Sequence, residues 1–423
     1  MIDKKKLPPG MQQYMDIKEQ YPDYLLFYRL GDFYEMFFDD AITASRALDI
    51  TLTKRGKCEN VDIPMCGVPF HAYESYLARL IKQGYKVAIC EQMESPEEAK
   101  KRGSKSVVKR EIVRLVTSGT LTEDVLLDSR RNNYLLALFG ANGHYGVAWL
   151  DISTGDFYTQ ELRTGPDTEI QELESVFSRL APSEILFADT LLQNPELFGL
   201  LHGYEEKLSP LPRARFNLAN AKKRMLDYFQ VQTLDSFGNF SDVEIIAGGA
   251  LFDYVEITQK GKMPRIKSPL QVNSTQYMEI DAATRRNLDL FDGAQGNSLN
   301  VVINRTVTGG GARMLTEHLM SPLLNVEQIN KRLNRVEFFI KHHDVRQKMR
   351  EVLAACPDVE RAVSRLSLAR KDGPRDLLSV LQMLALLPRL KIIIESYKKV
   401  DVVDELPDAV SEVLRNFGHH EAL

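Results

Sequence analysis

The amino-acid sequence predicts three successive units: an α/β domain, a second α/β domain, and a final segment that is all α. The length of 423 residues exceeds one ordinary domain, since domains usually hold about 100–150 residues. Short apolar segments alternate with helical patterns in the first two thirds, which favours α/β folds. From about residue 268, apolar side chains instead recur every three or four positions. The predicted boundaries are 1–115, 125–250 and 268–423.

The first unit is predicted to mix strands and helices. Residues 24–30 are aromatic and aliphatic, as is typical of a strand, and residues 39–48 keep a helical period. Residues 73–83 predict a second helix that ends at Gly84, because glycine readily adopts the left-handed conformation that follows a helix. Residues 86–90 then form a buried strand. Two stretches are predicted to be exposed: a loop at 54–60 and a basic edge at 100–114.

The second unit is predicted to be a small three-layer α/β domain. Residues 133–139, 144–151 and 156–161 indicate three consecutive strands joined by Gly-containing turns. A helix at 169–180 and a strand at 183–187 follow.

The third unit is predicted to be a helical bundle. Its apolar positions repeat at helical spacing in several long segments, for example Ile329, Leu333, Val336 and Ile340.

Charge separates the three units. The formal net charge is −4, from 54 basic and 58 acidic residues, so the chain is not a polycation that binds nucleic acid by bulk charge. Residues 120–265 hold 13 basic and 21 acidic side chains, a net of −8. Residues 1–119 and residues 266–423 each carry a net of +2. The outer units are therefore the better candidates for a surface that faces nucleic acid.

Several other functional classes lack support in the sequence. The four cysteines form no C-x-x-C pair, so we expect a reduced, cytoplasmic protein without a zinc site or metal centre. No apolar run approaches the roughly 18 residues of a membrane helix, so we expect no membrane partner. The phosphate-binding pattern G-x-x-x-x-G-K-[ST] is missing, and the three glycines at 309–311 predict a tight turn that starts a helix.

The most informative segment contains Phe33 and Glu35. They are two positions apart, so in an extended chain both side chains lie on one face. An aromatic ring can enter a base step and stack there, and the adjacent carboxylate can accept a hydrogen bond from a base edge. A carboxylate also repels phosphates, so it adds discrimination rather than affinity. Alternating aromatic residues are also common in cores, and that alternative remains open.

A second alternative places chemistry in the middle unit. Asp151 and Asp156 lie at predicted strand ends and are the possible start of a carboxylate metal site like that of nucleases. The Ser-Thr-Gly sequence between them is more often found in a simple turn than in a metal site. Metal-dependent cleavage of branched or mismatched duplexes would favour the nuclease hypothesis, and a partner-docking scaffold is a third hypothesis.

Long motifs along the whole chain resemble the MutS family of bacterial DNA mismatch repair proteins. They are YRLGDFYEMF at 28–37, LDITLTKRG at 48–56, PMCGVPFHA at 64–72, GYKVAICEQ at 84–92, RLVTSGT at 114–120, DAATRRNL at 281–288, RTVTG at 305–309 and PRDL at 374–377. Ser118 stands where the family pattern leads us to expect proline, which affects loop stiffness.

The resemblance implies a domain plan and site residues. It implies a mismatch-recognition domain, a ribonuclease-H-like connector domain, and the first part of a helical core or lever domain. Phe33 would be the wedge that stacks on a mispaired base, and Glu35 the acceptor to that base. The possible DNA backbone contacts are Lys54, Arg55, Lys105, Lys109 and Arg110.

The resemblance also implies partners and cofactors. The DNA partner would be a duplex with mismatches or small loops, and the connector would engage a MutL-type protein. Full-length members dimerise and are DNA-dependent ATPases that use ATP and Mg²⁺, in a clamp and ATPase portion that this chain does not contain. We therefore expect no cofactor in these 423 residues, and we expect them to be the N-terminal portion of a longer family member, either a fragment or an incomplete sequence.

Overall fold

The computed structural model describes residue 4 and residues 7–58, 61–103, 106–141, 143–163, 169–273, 276–291, 296–368 and 373–398. Within these ranges the chain forms two sheets with flanking helices, followed by a helical region. The three predicted fold types, α/β, α/β and all-α, are confirmed.

The first domain is built on a six-stranded mixed sheet. Its strands are β1 (Tyr24–Leu30), β2 (Phe33–Phe37), β3 (Thr53–Cys58), β4 (Val61–Pro69), β5 (Lys86–Gln92) and β6 (Arg110–Val116). Their order in space is β3-β4-β2-β1-β5-β6, and β1 and β5 pair in parallel while the other neighbours are antiparallel. Its helices are α1 (Pro9–Gln20), α2 (Phe38–Leu48), α3 (Tyr73–Lys82) and α4 (Pro96–Lys101).

Both faces of this sheet are covered, but by different helices. Apolar residues of α2 and α3 pack on one face, where they contact Tyr34 and Met36 of β2. Residues of α1 pack on the other face, where Tyr14 meets Tyr28 and Phe37. Side chains alternate along a strand, so Phe33, Glu35 and Phe37 share the α1 face of β2.

Two stretches of the first domain differ from the sequence predictions. The loop predicted at 54–60 is instead mostly strand β3, whose described residues pair with β4. The basic edge predicted at 100–114 contains the end of α4 and the start of β6. Both strands lie at the two edges of the sheet, where charged residues are tolerated because one side of the strand faces solvent.

The second domain is also a mixed sheet with helices. Its strands are β7 (Tyr134–Ala141), β8 (His144–Asp151), β9 (Asp156–Arg163), β10 (Glu184–Ala188), β11 (Leu208–Leu211) and β12 (Leu270–Gln271). Their order is β11-β10-β7-β8-β9-β12, in which β7, β8 and β9 form an antiparallel meander and the other neighbours pair in parallel. Its helices are α5 (Glu169–Leu180), α6 (Pro195–His202), α7 (Leu218–Phe229) and α8 (Asp242–Thr258).

Helix α8 crosses the second sheet at very close range. A Cβ on Gly146 of β8 would lie 2.1 Å from the carbonyl oxygen of Val243, so only glycine permits this approach. Nearly every residue of α8 is buried, including Glu244 and Asp253. The domain boundary predicted at 250 lies inside this helix, because a helix buried on all sides has no amphipathic pattern that marks its end.

A buried carboxylate joins the first two domains. Glu184 of β10 is 1% exposed and accepts hydrogen bonds from Gly119 N at 3.0 Å, Ser209 Oγ at 2.6 Å and Tyr254 OH at 2.6 Å. Burial raises the pKa of Tyr254 well above its usual value, so its hydroxyl remains a donor. Lys86 of the first sheet donates to Ser209 Oγ at 2.8 Å, which extends the network across the junction.

The third region is helical, as predicted. Its helices are α9 (Ala282–Asn287), α10 (Leu299–Ile303), α11 (Gly309–Met320), α12 (Val326–Lys341), α13 (His343–Ala354), α14 (Val359–Ser367) and α15 (Gly373–Lys398). The predicted turn at 309–311 is confirmed as the first turn of α11, where the Thr308 side chain accepts from Gly311 N at 3.0 Å.

The prediction that no apolar run approaches the length of a membrane helix concerns continuous runs, and helix α15 meets a different criterion, its mean hydropathy. Within the described ranges, one 23-residue stretch of α15, Gly373–Glu395, is long and apolar enough, and little of it is buried. Polar and charged residues such as Gln382, Arg389 and Lys391 interrupt it, so it contains no continuous apolar run even though its mean hydropathy is high. Core helices of soluble proteins meet the same two criteria, so we assign no membrane span to it.

Candidate nucleic-acid interface

Phe33 is an exposed aromatic residue at the start of β2. It pairs with Leu30 of β1 and with Pro69 of β4, and 47% of it is exposed. The preceding Gly31 adopts a left-handed φ of +57°, which the tight turn between β1 and β2 requires. Helix α1 covers the Phe37 end of this face and leaves the Phe33 end open. This exposure excludes the alternative that Phe33 belongs to the core.

The strand beneath Phe33 is held firmly from its opposite face. Tyr34 is 1% exposed and donates from its hydroxyl to Glu91 of β5, and burial raises its pKa above the usual range. Phe70 N donates to Asp32 O at 2.8 Å, which closes the turn before Phe33. The Arg29 guanidinium lies 3.3 Å from the centre of the Phe70 ring. An exposed ring on such a support meets a ligand with little loss of backbone entropy.

Glu35 lies two residues beyond Phe33 on the same face. It pairs with Tyr28 of β1 and Gly67 of β4, and its carboxylate forms an ion pair with Arg55 of β3. Its side chain is 13% exposed, against 49% for Arg55. The structure therefore brings Phe33, Glu35 and Arg55 together on one surface of the sheet.

The other basic residues proposed from the sequence are dispersed. Lys54 lies beside Arg55 on β3 and binds Asp62 at 2.8 Å, a hydrogen bond that raises the pKa of the lysine. Lys109 binds Glu111 at 2.7 Å, with the same effect on its pKa. Lys109 directly precedes β6, at the sheet edge opposite to β3. Lys105 lies outside the described residues.

Arg110 is not placed to contact DNA, which corrects the expectation from the sequence. It is 7% exposed, and its guanidinium donates to Arg29 O at 2.7 Å, Gln13 Oε1 at 3.1 Å and Val108 O at 3.0 Å. The same group lies 4.7 Å from the centre of the Tyr28 ring. Arg110 therefore joins β6 to β1 and α1 inside the domain.

The Glu35–Arg55 ion pair was missed by the sequence analysis. The two residues are 20 positions apart and lie on strands that are not neighbours, so neither periodicity nor local spacing reveals the contact. The sequence motifs show that Glu35 and Arg55 are charged, but they do not show which charged residues pair with each other.

The two aspartates of the nuclease alternative are occupied by structural contacts. Asp151 is fully buried and accepts from Asn133 N at 3.0 Å, Ser153 N at 2.9 Å and Ser153 Oγ at 2.6 Å. Burial raises the pKa of Asp151. Asp156 binds Thr154 Oγ1 at 2.6 Å and Lys267 Nζ at 2.7 Å. Across the described ranges, no group of three or more His, Cys, Asp or Glu residues could hold a metal ion.

Three family models match the chain in succession. They are described as MutS domain I, at residues 8–125, MutS domain II, at residues 133–267, and MutS domain III, at residues 283–417. Together they cover most of the sequence.

Several curated proteins with similar sequences bear the name DNA mismatch repair protein MutS. The protein of Ruegeria pomeroyi is 52% identical over 375 residues, which cover 88% of this chain and 42% of that protein. The protein of Roseobacter denitrificans is 46% identical over 425 residues, which cover 98% of this chain and 46% of that protein. The protein of Wolbachia pipientis wMel is 45% identical over 377 residues, which cover 88% of this chain and 44% of that protein. The chain thus spans about half the length of the curated relatives it matches.

Proposed function

The chain belongs to the MutS family of DNA mismatch repair proteins, and from this membership we propose that its first domain recognises mispaired or unpaired bases in duplex DNA. The observation that carries the proposal is the exposure of Phe33, a large aromatic residue, on a sheet whose other aromatic side chains on β1 and β2 are buried or partly buried. Exposure costs an aromatic residue its burial energy, so a ligand that stacks on it is a physical reason for its position.

The proposed mechanism begins with the phenyl ring of Phe33. A mismatched step is weakly stacked, so opening it costs less than opening a paired step. The ring enters that step from the minor groove and stacks on the displaced base, which kinks the duplex. The firm support beneath β2 keeps the ring in place, since Tyr34, on the opposite face, is locked by its hydrogen bond to Glu91.

Glu35 adds selectivity in this proposal. Its carboxylate accepts a hydrogen bond from the displaced base, and a base that remains stacked cannot reach it. An unpaired carboxylate repels phosphates, so opening the ion pair between Glu35 and Arg55 on matched DNA carries a penalty without a compensating bond. Lys54, Arg55 and Lys109, which are exposed, and Lys105 are the proposed contacts to the phosphate backbone.

Further functions are proposed for the longer family members. We propose that the second domain engages a MutL-type partner and that the full-length protein is a homodimer. ATP and Mg²⁺ would act in a portion outside these 423 residues, whose sequence contains no G-x-x-x-x-G-K-[ST] pattern.

Replacing Phe33 with alanine tests the proposal directly. Stacking of a base on an aromatic side chain is worth about 1–3 kcal/mol, so Phe33→Ala should weaken mismatch binding by about 5- to 150-fold. Binding to matched duplex should change little, because it depends on phosphate contacts. Fluorescence anisotropy with labelled mismatched and matched oligonucleotides measures both affinities.

The matched control is Phe198→Ala, which removes an equally exposed phenyl ring, 52% accessible, from α6 of the second domain. It should leave both affinities unchanged. Equal losses on the two DNAs for Phe33→Ala, or no loss at all, would contradict the proposed function.

A further inference from the structure

The ion pair between Glu35 and Arg55 occupies both partners in the unbound protein. Arg55 Nη1 donates to Glu35 Oε2, and among the described residues neither side chain has another hydrogen-bonding partner. Strand β4 lies between the two strands that carry them. The β4 residue opposite Glu35 is Gly67, on which a Cβ would lie 3.5 Å from Glu35 Cγ. The glycine therefore leaves free the space on β4 beside the Glu35 side chain.

The roles proposed for these two residues draw on the same two charges. While Arg55 Nη1 is bound to Glu35 Oε2, the charges neutralise each other, so Arg55 offers a phosphate little net positive charge and the Glu35 carboxylate is already partly satisfied. If Arg55 left for a phosphate on matched DNA, Glu35 would remain as an unpaired anion beside the backbone. The two roles are thus mutually dependent rather than additive.

We infer that Arg55 is a specificity-determining residue that exchanges Glu35 for a phosphate when a mispaired base binds to Glu35. This inference rests on the proposed function of the first domain. On matched DNA, Glu35 has no new partner, so the ion pair stays closed and contributes no phosphate contact. On mismatched DNA, the base replaces Arg55 at Glu35, and the released guanidinium neutralises a phosphate. Recognition of the base is thereby coupled to an additional backbone contact.

The unequal exposure of the pair makes this exchange feasible. Arg55 is about half exposed, so its guanidinium can turn toward a phosphate, whereas Glu35 is only 13% exposed and needs a new partner when Arg55 leaves. A guanidinium binds a phosphate with the same charge-assisted, forked geometry that it offers a carboxylate. The exchange therefore replaces a charge-assisted hydrogen bond to the Glu35 carboxylate with a charge-assisted hydrogen bond to a phosphate.

The dependence of DNA binding on salt measures whether Arg55 is released. Each additional phosphate that a protein cation neutralises steepens the slope of log K against log salt by about 0.9. Glu35→Ala frees Arg55, so it should steepen the slope on matched duplex by about 0.9. The same substitution in an Arg55→Ala background should leave the slope unchanged. Glu35→Gln, which retains the shape of the side chain, should repeat the single-variant result if the alanine variant folds poorly.

The neighbouring pair Lys54–Asp62 supplies the matched control, since Lys54 lies on the same strand and binds Asp62 at 2.8 Å rather than Glu35. In a Lys54→Ala background, Glu35→Ala should still steepen the slope by about 0.9. An unchanged slope for the Glu35 variants, or an equal increase without Arg55, would overturn the exchange. These titrations use matched DNA, whereas the proposed function fails by a different result, an equal loss on both DNAs for Phe33→Ala.

Discussion

Glu184 should be the most sensitive polar position at the junction of the first two domains. Its carboxylate is 1% exposed and accepts from Gly119 N, Ser209 Oγ and Tyr254 OH. Glu184→Ala leaves three buried donors without an acceptor, each at a cost of about 1–3 kcal/mol. Relief from desolvation of the carboxylate offsets part of this loss. We therefore expect the free energy of unfolding to fall by about 3–5 kcal/mol.

The chain provides its own probe for this experiment. Trp149 is the single tryptophan, is 3% exposed on β8, and stacks on Tyr158 with ring centres 5.4 Å apart. Its fluorescence during urea denaturation therefore reports on unfolding of the second domain. Linear extrapolation of the transition gives the free energy of unfolding for each variant.

Two further variants calibrate the result. Glu184→Gln keeps one carbonyl oxygen but turns an amide donor toward a protein donor, so its loss should lie between those of wild type and Glu184→Ala. Glu196→Ala removes an exposed carboxylate of the same domain and should change stability by less than about 0.5 kcal/mol. A loss below about 1 kcal/mol for Glu184→Ala would refute the assignment of this residue as the centre of the junction.

Three remaining predictions concern the first domain. Lys109→Ala should weaken binding to all duplexes and reduce the slope of log K against log salt by about 0.9. Arg110→Ala should instead lower the stability of the domain in urea, because Arg110 is buried and bonded inside it. A reduced slope with normal stability for Arg110→Ala would contradict that internal role. Burial raises the pKa of Cys66 and Cys90 to about 12 from the usual 9.0, so both thiols should resist alkylation at pH 8 until the domain unfolds, as mass spectrometry would show. Because the folded state then holds these protons more tightly than the unfolded state, stability should decrease as the pH rises from 9 toward 12, and a stability that is constant over this interval would contradict the assigned burial.

Local pattern was sufficient to place the central pair of the candidate site. The two-residue spacing of Phe33 and Glu35 predicted a shared face, because side chains alternate along any strand. The pattern alone left open whether that face was core or surface. The position of α1 decided this, since Tyr14 covers Phe37 and leaves the other end of the strand exposed.

Residues whose partners are distant in sequence were misassigned. Arg110 belongs to a basic stretch, and a charged residue is usually exposed. It is buried because β6 pairs with β5, which brings its guanidinium to Arg29 O, 81 positions away. No local signal identifies such a neighbour. The position predicted as a boundary, 250, lies inside α8, and local pattern does not mark the end of that helix because most of its residues are buried.

The three fold types, the family and the position of the Phe33–Glu35 motif follow from periodicity, composition and ordered motifs along the chain. Which charged side chains remain available to a ligand depends on the folded arrangement. That arrangement buried Arg110, paired Lys54 with Asp62, and joined Arg55 to Glu35. Ion pairing and burial are set by distances across strands, and those distances exist only after the sheet has formed.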